Sequence, residues 1–170
     1  IFLIEKKFLY PNFYNFVPFF QKHWQNFLAW TSLEKIVWFV LILTLIIRVG
    51  ASLWTVTNIP TYDFDAWNNW NFRAKVIYTQ GLIPLEENEP NRFGGGISSY
   101  PLNDSLFKVW LATAAGEFQD KYINLASVFY YIILLAIFYF SLPTKLNRLL
   151  RLAMTYLLSS VPLLYFHSHV

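Results

Sequence analysis

The chain has no cysteine and little charge. Without cysteine there is neither a disulfide framework nor a thiolate metal site. Only 14% of its 170 residues are Asp, Glu, Lys or Arg, where a soluble domain usually carries about 25%. That scarcity argues against an ordinary water-facing surface. No repeat of solenoid period and no low-complexity tract is present. Residues 1–10 lack the small-residue cleavage site of a secretory signal.

What the chain does have is apolar and aromatic mass. Hydrophobic residues make up 56% and aromatic ones 21%, and mean hydropathy is +0.37. Aromatic rings favour membrane–water interfaces, because they tolerate an apolar and a wet side at once. The net charge of +3 therefore reads as a topology signal, with no nucleic-acid partner expected.

A helix needs about 20 apolar residues to cross the hydrocarbon core. Three stretches meet that length: 36–54, interrupted only by Arg48; 123–142, with no charge; and 152–170, with Pro162 as an expected kink. The expected fold class is all-α integral membrane, with three transmembrane helices plus interfacial or juxtamembrane helices in a long first outer loop. Residues 1–35 form a cytoplasmic or interfacial lead-in, 55–122 the outer loop, and 143–151 a basic cytoplasmic loop. Lys6, Lys7, Lys22 and Lys35 on one side, and Lys145, Arg148 and Arg151 on the other, set this orientation by the positive-inside rule. The N-terminus is then inside and the long loop outside. The chain begins at Ile1 and ends in an apolar run at Val170, as expected of an N-terminal fragment of a longer protein.

A shorter apolar piece, 102–115, contains Asp104 and Lys108. Leu102, Leu106, Val109, Trp110 and Thr113 share one helical face and Lys108 points away from it. It reads as a helix lying on the membrane, started by Asn103 or Asp104 and ended by Gly116. Asn103-Asp104-Ser105 also matches a glycosylation acceptor.

The outer loop holds the candidate chemistry. Asp63 suits a helix N-cap. Regular helical spacing after it places Trp67, Trp70, Ala74 and Ile77 on one face. Asp65, Asn68, Asn69 and Arg73 occupy the neighbouring one. A carboxylate there can act as a general base; equally, Asp63 and Asp65 can serve only as caps that complement the helix dipole. Arg73 and Lys75 can hold a phosphate or anchor to lipid headgroups. Glu86, Glu87 and Glu89 form an acidic run, and Gly94-Gly95-Gly96 a hinge without the context of a phosphate loop. His167 and His169 diverge on a helix and read mainly as interfacial polar residues, with facing the active-site cavity as the lesser alternative.

The order of these features resembles the membrane glycosyltransferases of the GT-C superfamily. The nearest likeness is to bacterial multi-span proteins related to protein O-mannosyltransferases and lipid A aminoarabinose transferases. The residues carrying it are Asp65-Ala66-Trp67, Trp70-Asn71, Ala74-Lys75 and Tyr100-Pro101-Leu102. The resemblance implies a sugar donor on a polyprenyl phosphate, drawn from the membrane lipid, and transfer at the outer face of a bacterial cytoplasmic membrane with inversion. It implies Asp65, with Asp63 second, as catalytic base. Arg73, Lys75, Arg92, Asn69 and Tyr100 would contact substrate, with Lys75 the cation best placed by the motif. No metal ligand is assigned and a divalent metal requirement is left open. Two departures stand out. Ser98-Ser99 replaces the acid or His that relatives often carry before Tyr-Pro, and the second outer loop of the family lies beyond Val170. The competing expectations are a non-catalytic transporter or flippase-like component, and a structural membrane protein. Transporters usually place ionisable residues inside spans, where this chain offers only Arg48.

Overall fold

Long apolar stretches with no water to pair their backbone must satisfy their own N–H and C=O groups, which a helix does. The computed structural model describes residues 27–84 and 100–167, and among them every regular element is helical. Arg92, the Glu86–Glu89 acids, the glycine hinge and His169 lie outside the described residues, as does most of the N-terminal lead-in.

Helix α1 runs Ser32–Asn58. Thr31 and Glu34 start it with a reciprocal capping box: Glu34 N–H donates to Thr31 Oγ1 (3.2 Å), and Thr31 N–H donates to Glu34 Oε2 (2.8 Å). Its 27 residues extend about 40 Å at 1.5 Å each, longer than the roughly 30 Å hydrocarbon core. The helix passes from one compact unit, Ile1–Val40, into a second, Leu41–Val170. In the first, Phe27 rests against Trp30 and Trp38, and Lys35 Nζ donates to the Leu28 carbonyl. The site lies in the second.

A π-helical segment, Ala66–Asn71, leads into α2, Phe72–Gln80, which ends on Gly81 at φ 68°. Only a residue without Cβ takes that left-handed conformation readily. Helix α3, Asn103–Ala115, ends the same way on Gly116, as expected. Neither Asn103 nor Asp104 caps its start: Leu102 holds the cap position with no side-chain bond. Asp104 turns instead to Lys108, and Ser105 is buried with its hydroxyl donating to the Trp70 carbonyl, while Asn103, the acceptor of the glycosylation motif, is exposed.

Helix α4, Asp120–Ile123, is a single turn before α5, Leu125–Ser141. Together with α1, the stretch Asp120–Ser141 is long and apolar enough to cross a membrane. Both leave large apolar side chains outward, including Ile46, Ile47 and Trp54 on α1 and Ile133, Ile137 and Phe140 on α5. Such faces are unfavourable in water and favourable in lipid.

The stretch 152–170 does not form one continuous span within the described residues. Helix α6, Arg148–Ser159, stops, and α7, Pro162–His167, begins after a break. Asn147 caps α6 by accepting from Leu149 N–H at 2.9 Å. Pro162 brings no N–H to continue the ladder. Ser159 and Ser160 hydroxyls both donate back to the Tyr156 carbonyl, which favours the bend. Arg48 Nη1 (2.9 Å) and the Tyr131 hydroxyl (3.1 Å) donate to the Ser159 carbonyl at the break. Arg48 thus finds a backbone acceptor and the faces of Tyr156 and Tyr165, rather than the membrane surface.

Helix α2 packs on α3, α3 on α4 and α5, and α5 on α6 and α7. Ala74, Ala112 and Ala126 are fully buried. Small side chains at these positions let helix backbones approach closely.

Candidate functional site

The π-helical segment changes the face that each loop residue presents. A π turn closes its hydrogen bond over five residues instead of four, so side chains before and after it fall out of the 3.6-residue phase. The expectation of Trp67, Trp70, Ala74 and Ile77 on one face is therefore corrected. Ala74 and Ile77 are buried, while Trp67 is 62% exposed. The expected open polar face is corrected too: Asn69 and Arg73 are buried.

Asp63 precedes the segment and caps it, its Oδ1 accepting from Asp65 N–H (3.0 Å) and Ala66 N–H (3.2 Å). Asp65 is exposed and its Oδ1 accepts from Asn69 Nδ2 at 2.7 Å. The two acids thus divide: one is committed to backbone, the other is oriented by an amide. Arg73 Nη1 donates to the Tyr100 carbonyl at 2.9 Å, and the Tyr100 ring stacks on Trp70. Burial works against the Arg73 charge and lowers its pKa. Arg73 and Tyr100 bind α2 to the start of α3.

Asp63, Asp65, Ala66, Trp70, Asp104, Lys108, Ser127 and His167 line a cavity of about 230 Å³. Lys108 is its least expected member. It lies on the face of α3 opposite Trp110, as the spacing implied, but that face meets protein instead of water: Lys108 is 2% exposed, Trp110 61%. Lys108 Nζ donates to Asn71 Oδ1 at 2.7 Å and sits 3.5 Å from Asp104 Oδ2. Asn71 in turn donates to Thr61 Oγ1 and Asn124 Oδ1. Asn124 donates to the same Thr61 oxygen, and Thr61 N–H reaches Asp120. These links tie the π segment, α3 and the head of α5 into one polar hub. Burial pushes the Lys108 pKa down, while Asp104 and Asp120 push it back up.

A signal for Lys108 existed in its sequence: an acid four residues before it, on a helix whose apolar residues are all accounted for without it. What hid its burial is that the principal acceptor, Asn71, lies 37 residues away.

Lys75 lies elsewhere. It lines a second cavity, about 490 Å³, with Trp67, Asn71, Phe72, Thr79, Phe118 and Asp120 among its walls. A third, of about 460 Å³, is an apolar groove along α5 and α7, lined by Tyr130, Tyr131, Ile133, Leu134, Ile137 and Leu164. Ser127 and His167 line both this groove and the Asp65 cavity. His167 thus faces the site, whereas its spacing suggested mainly an interfacial residue. Among the described residues no three Asp, Glu or His side chains gather closely enough to hold a metal ion.

No protein-family model, curated protein or solved structure significantly matches this chain. Among the described residues every regular element is helical, and two helices are long and apolar enough to cross a membrane.

Proposed function

We propose that the chain belongs to a membrane glycosyltransferase of GT-C type, which moves a sugar from a polyprenyl-phosphate donor to an acceptor at the outer membrane surface. The observation that carries this reading is the junction at Ser127 and His167, where an apolar groove meets a cavity holding Asp65. A donor of this class has the same two halves: a hydrocarbon tail and a polar head. In this reading the bent pair α6–α7 completes a third crossing, the N-terminus is cytoplasmic, and α2 and α3 lie at the outer interface with Trp67 and Trp110 toward lipid.

In the reaction, the acceptor oxygen attacks the anomeric carbon from the face opposite the phosphate. The bond from that carbon to the phosphate oxygen breaks, and its electron pair leaves with the polyprenyl phosphate. Asp65 takes the acceptor proton as general base. Its exposure gives the acceptor access, and Asn69 fixes one oxygen so that the other can face the substrate. Asp63, engaged with two backbone N–H groups, shapes the helix start. The test is Asp65→Asn in the full-length protein, assayed for transfer from a polyprenyl-phosphate sugar. Loss of transfer with normal expression is expected. Undiminished transfer would remove Asp65 from the role. Binding of the lipid by the unmodified protein with no transfer to any acceptor would favour a carrier over an enzyme.

A further inference from the structure

We infer that Lys108 is the group that grips the phosphate of the lipid-linked donor, a role the motif had pointed to Lys75. The inference rests on the transferase reading above and deepens it.

Three observations place the cation there. First, Lys108 lines the same cavity as Asp65, whereas Lys75 lines a different one. Arg73 is spent on the Tyr100 carbonyl and lines neither. Second, Ser127 and His167 line both this cavity and the apolar groove, so the two are neighbours. A donor with its tail in that groove brings its head to the walls where Lys108 and Asp65 both stand. Third, an ammonium has three N–H bonds. Asn71 takes one at 2.7 Å and Asp104 faces another at 3.5 Å. Among the described residues the third has no hydrogen-bond acceptor, and it stands at the cavity wall.

Burying a lysine is unfavourable unless its charge is answered. Asn71 answers it with a neutral carbonyl, and Asp104 at a long ion-pair distance. The ammonium is thereby positioned at 3.5 Å from its ion-pair partner Asp104, as the lysine of a cavity that it shares with Asp63 and Asp65. When the carbon–oxygen bond breaks, the phosphate gains a negative charge. A fixed, buried cation stabilises that charge more than a hydrated one does. Asp104 assists indirectly: it keeps Lys108 protonated against burial and is a positioning residue.

The test uses the full-length protein and compares binding of polyprenyl phosphate with binding of polyprenol, which has the tail alone. Lys108→Met keeps the length of the side chain and removes its charge. It is expected to weaken polyprenyl phosphate binding about 10- to 100-fold, the loss of one charge-assisted bond, with polyprenol binding unchanged. Lys75→Met is expected to change neither. A Lys108→Met protein that still prefers the phosphate as strongly, or a preference lost in Lys75→Met, overturns the inference while leaving the transferase reading intact. An unmodified protein that neither binds the donor nor transfers its sugar defeats the reading itself. Phosphatidylglycerol bears a phosphate on an ordinary lipid; equal competition by it would overturn the assignment to the donor.

Should Lys108→Met lose polyprenol binding as well, a second variant decides. Asp104→Asn leaves Lys108 in place and removes its nearest carboxylate. Facing Lys108 there remain Asp63 and Asp65 across the cavity, Asp120 at the head of α4, and His167 at the end of α7. Loss of polyprenyl phosphate binding on the alkaline side is expected to set in at lower pH than in the unmodified protein, with polyprenol binding flat. An unmoved alkaline limb overturns the inference.

Discussion

Lys75 and Lys108 each line a cavity that also holds a carboxylate, yet one is exposed and the other is buried. The exposed lysine keeps its hydration shell, and salt screens what it attracts. The buried one is held by Asn71 and Asp104, away from bulk water. Motif order favours the first residue and geometry favours the second. The difference teaches that a lysine's place in a loop motif says less about its chemistry than what lies beneath its ammonium.

That comparison can be broken or sharpened by measurement. The largest effect is expected within the carboxylates. Asp65→Asn should lower transfer 100-fold or more, the range of a lost general base. Asp63→Asn should leave transfer nearly intact, since Asn caps a helix start as well as Asp does. Equal losses from the two would erase the division between them. Next comes the lysine pair: Lys108→Met should cost about 10- to 100-fold in donor affinity, and Lys75→Met should leave it unchanged. Measured by titration with polyprenyl phosphate, a reversed order would return the role to the motif lysine.

A smaller effect is one of pH. Lys108 must carry its proton to hold a phosphate, and burial lowers its pKa. Donor binding should therefore fail, as pH rises, below the range where an exposed lysine discharges. Asp104→Asn removes an influence that raises the value, so the failure should move lower still; a shift upward would contradict the electrostatics described. The smallest effect concerns stability away from both cavities. Asn147→Ala removes the cap of α6 and should destabilise by about 1 kcal/mol, read as a lower thermal midpoint with transfer unchanged.

Much of the fold was legible because periodicity and length act locally. The apolar runs of α1 and α5 were long enough to be placed without knowing their neighbours, and Gly116 and Pro162 marked a helix end and a break by their own covalent chemistry. The third stretch was less legible. Its break depends on Ser159, Ser160 and a remote arginine as well as on proline. In the candidate site, the acids were found from spacing, which favoured Asp63 as the cap; the two backbone N–H groups that Asp63 holds were not legible. Lys108 escaped notice because its partner Asn71 comes from another part of the chain. Asn69 and Arg73 were placed on an open face because regular helical phase was assumed through a segment that does not keep it.

That segment acts as a phase adjuster. Ala66–Asn71 holds one more residue per hydrogen-bonded turn than an α-helix would. With α2 anchored through Ala74, Ile77 and the Arg73–Tyr100 bond, the direction in which Asp65 points depends on that extra residue. Deleting one residue from it would restore the ordinary period and swing Asp65 about 100° around the axis. The carboxylate would then leave the cavity wall with its own chemistry untouched. The aim of the candidate base is thus stored in the length of the segment that follows it, and not in the acid.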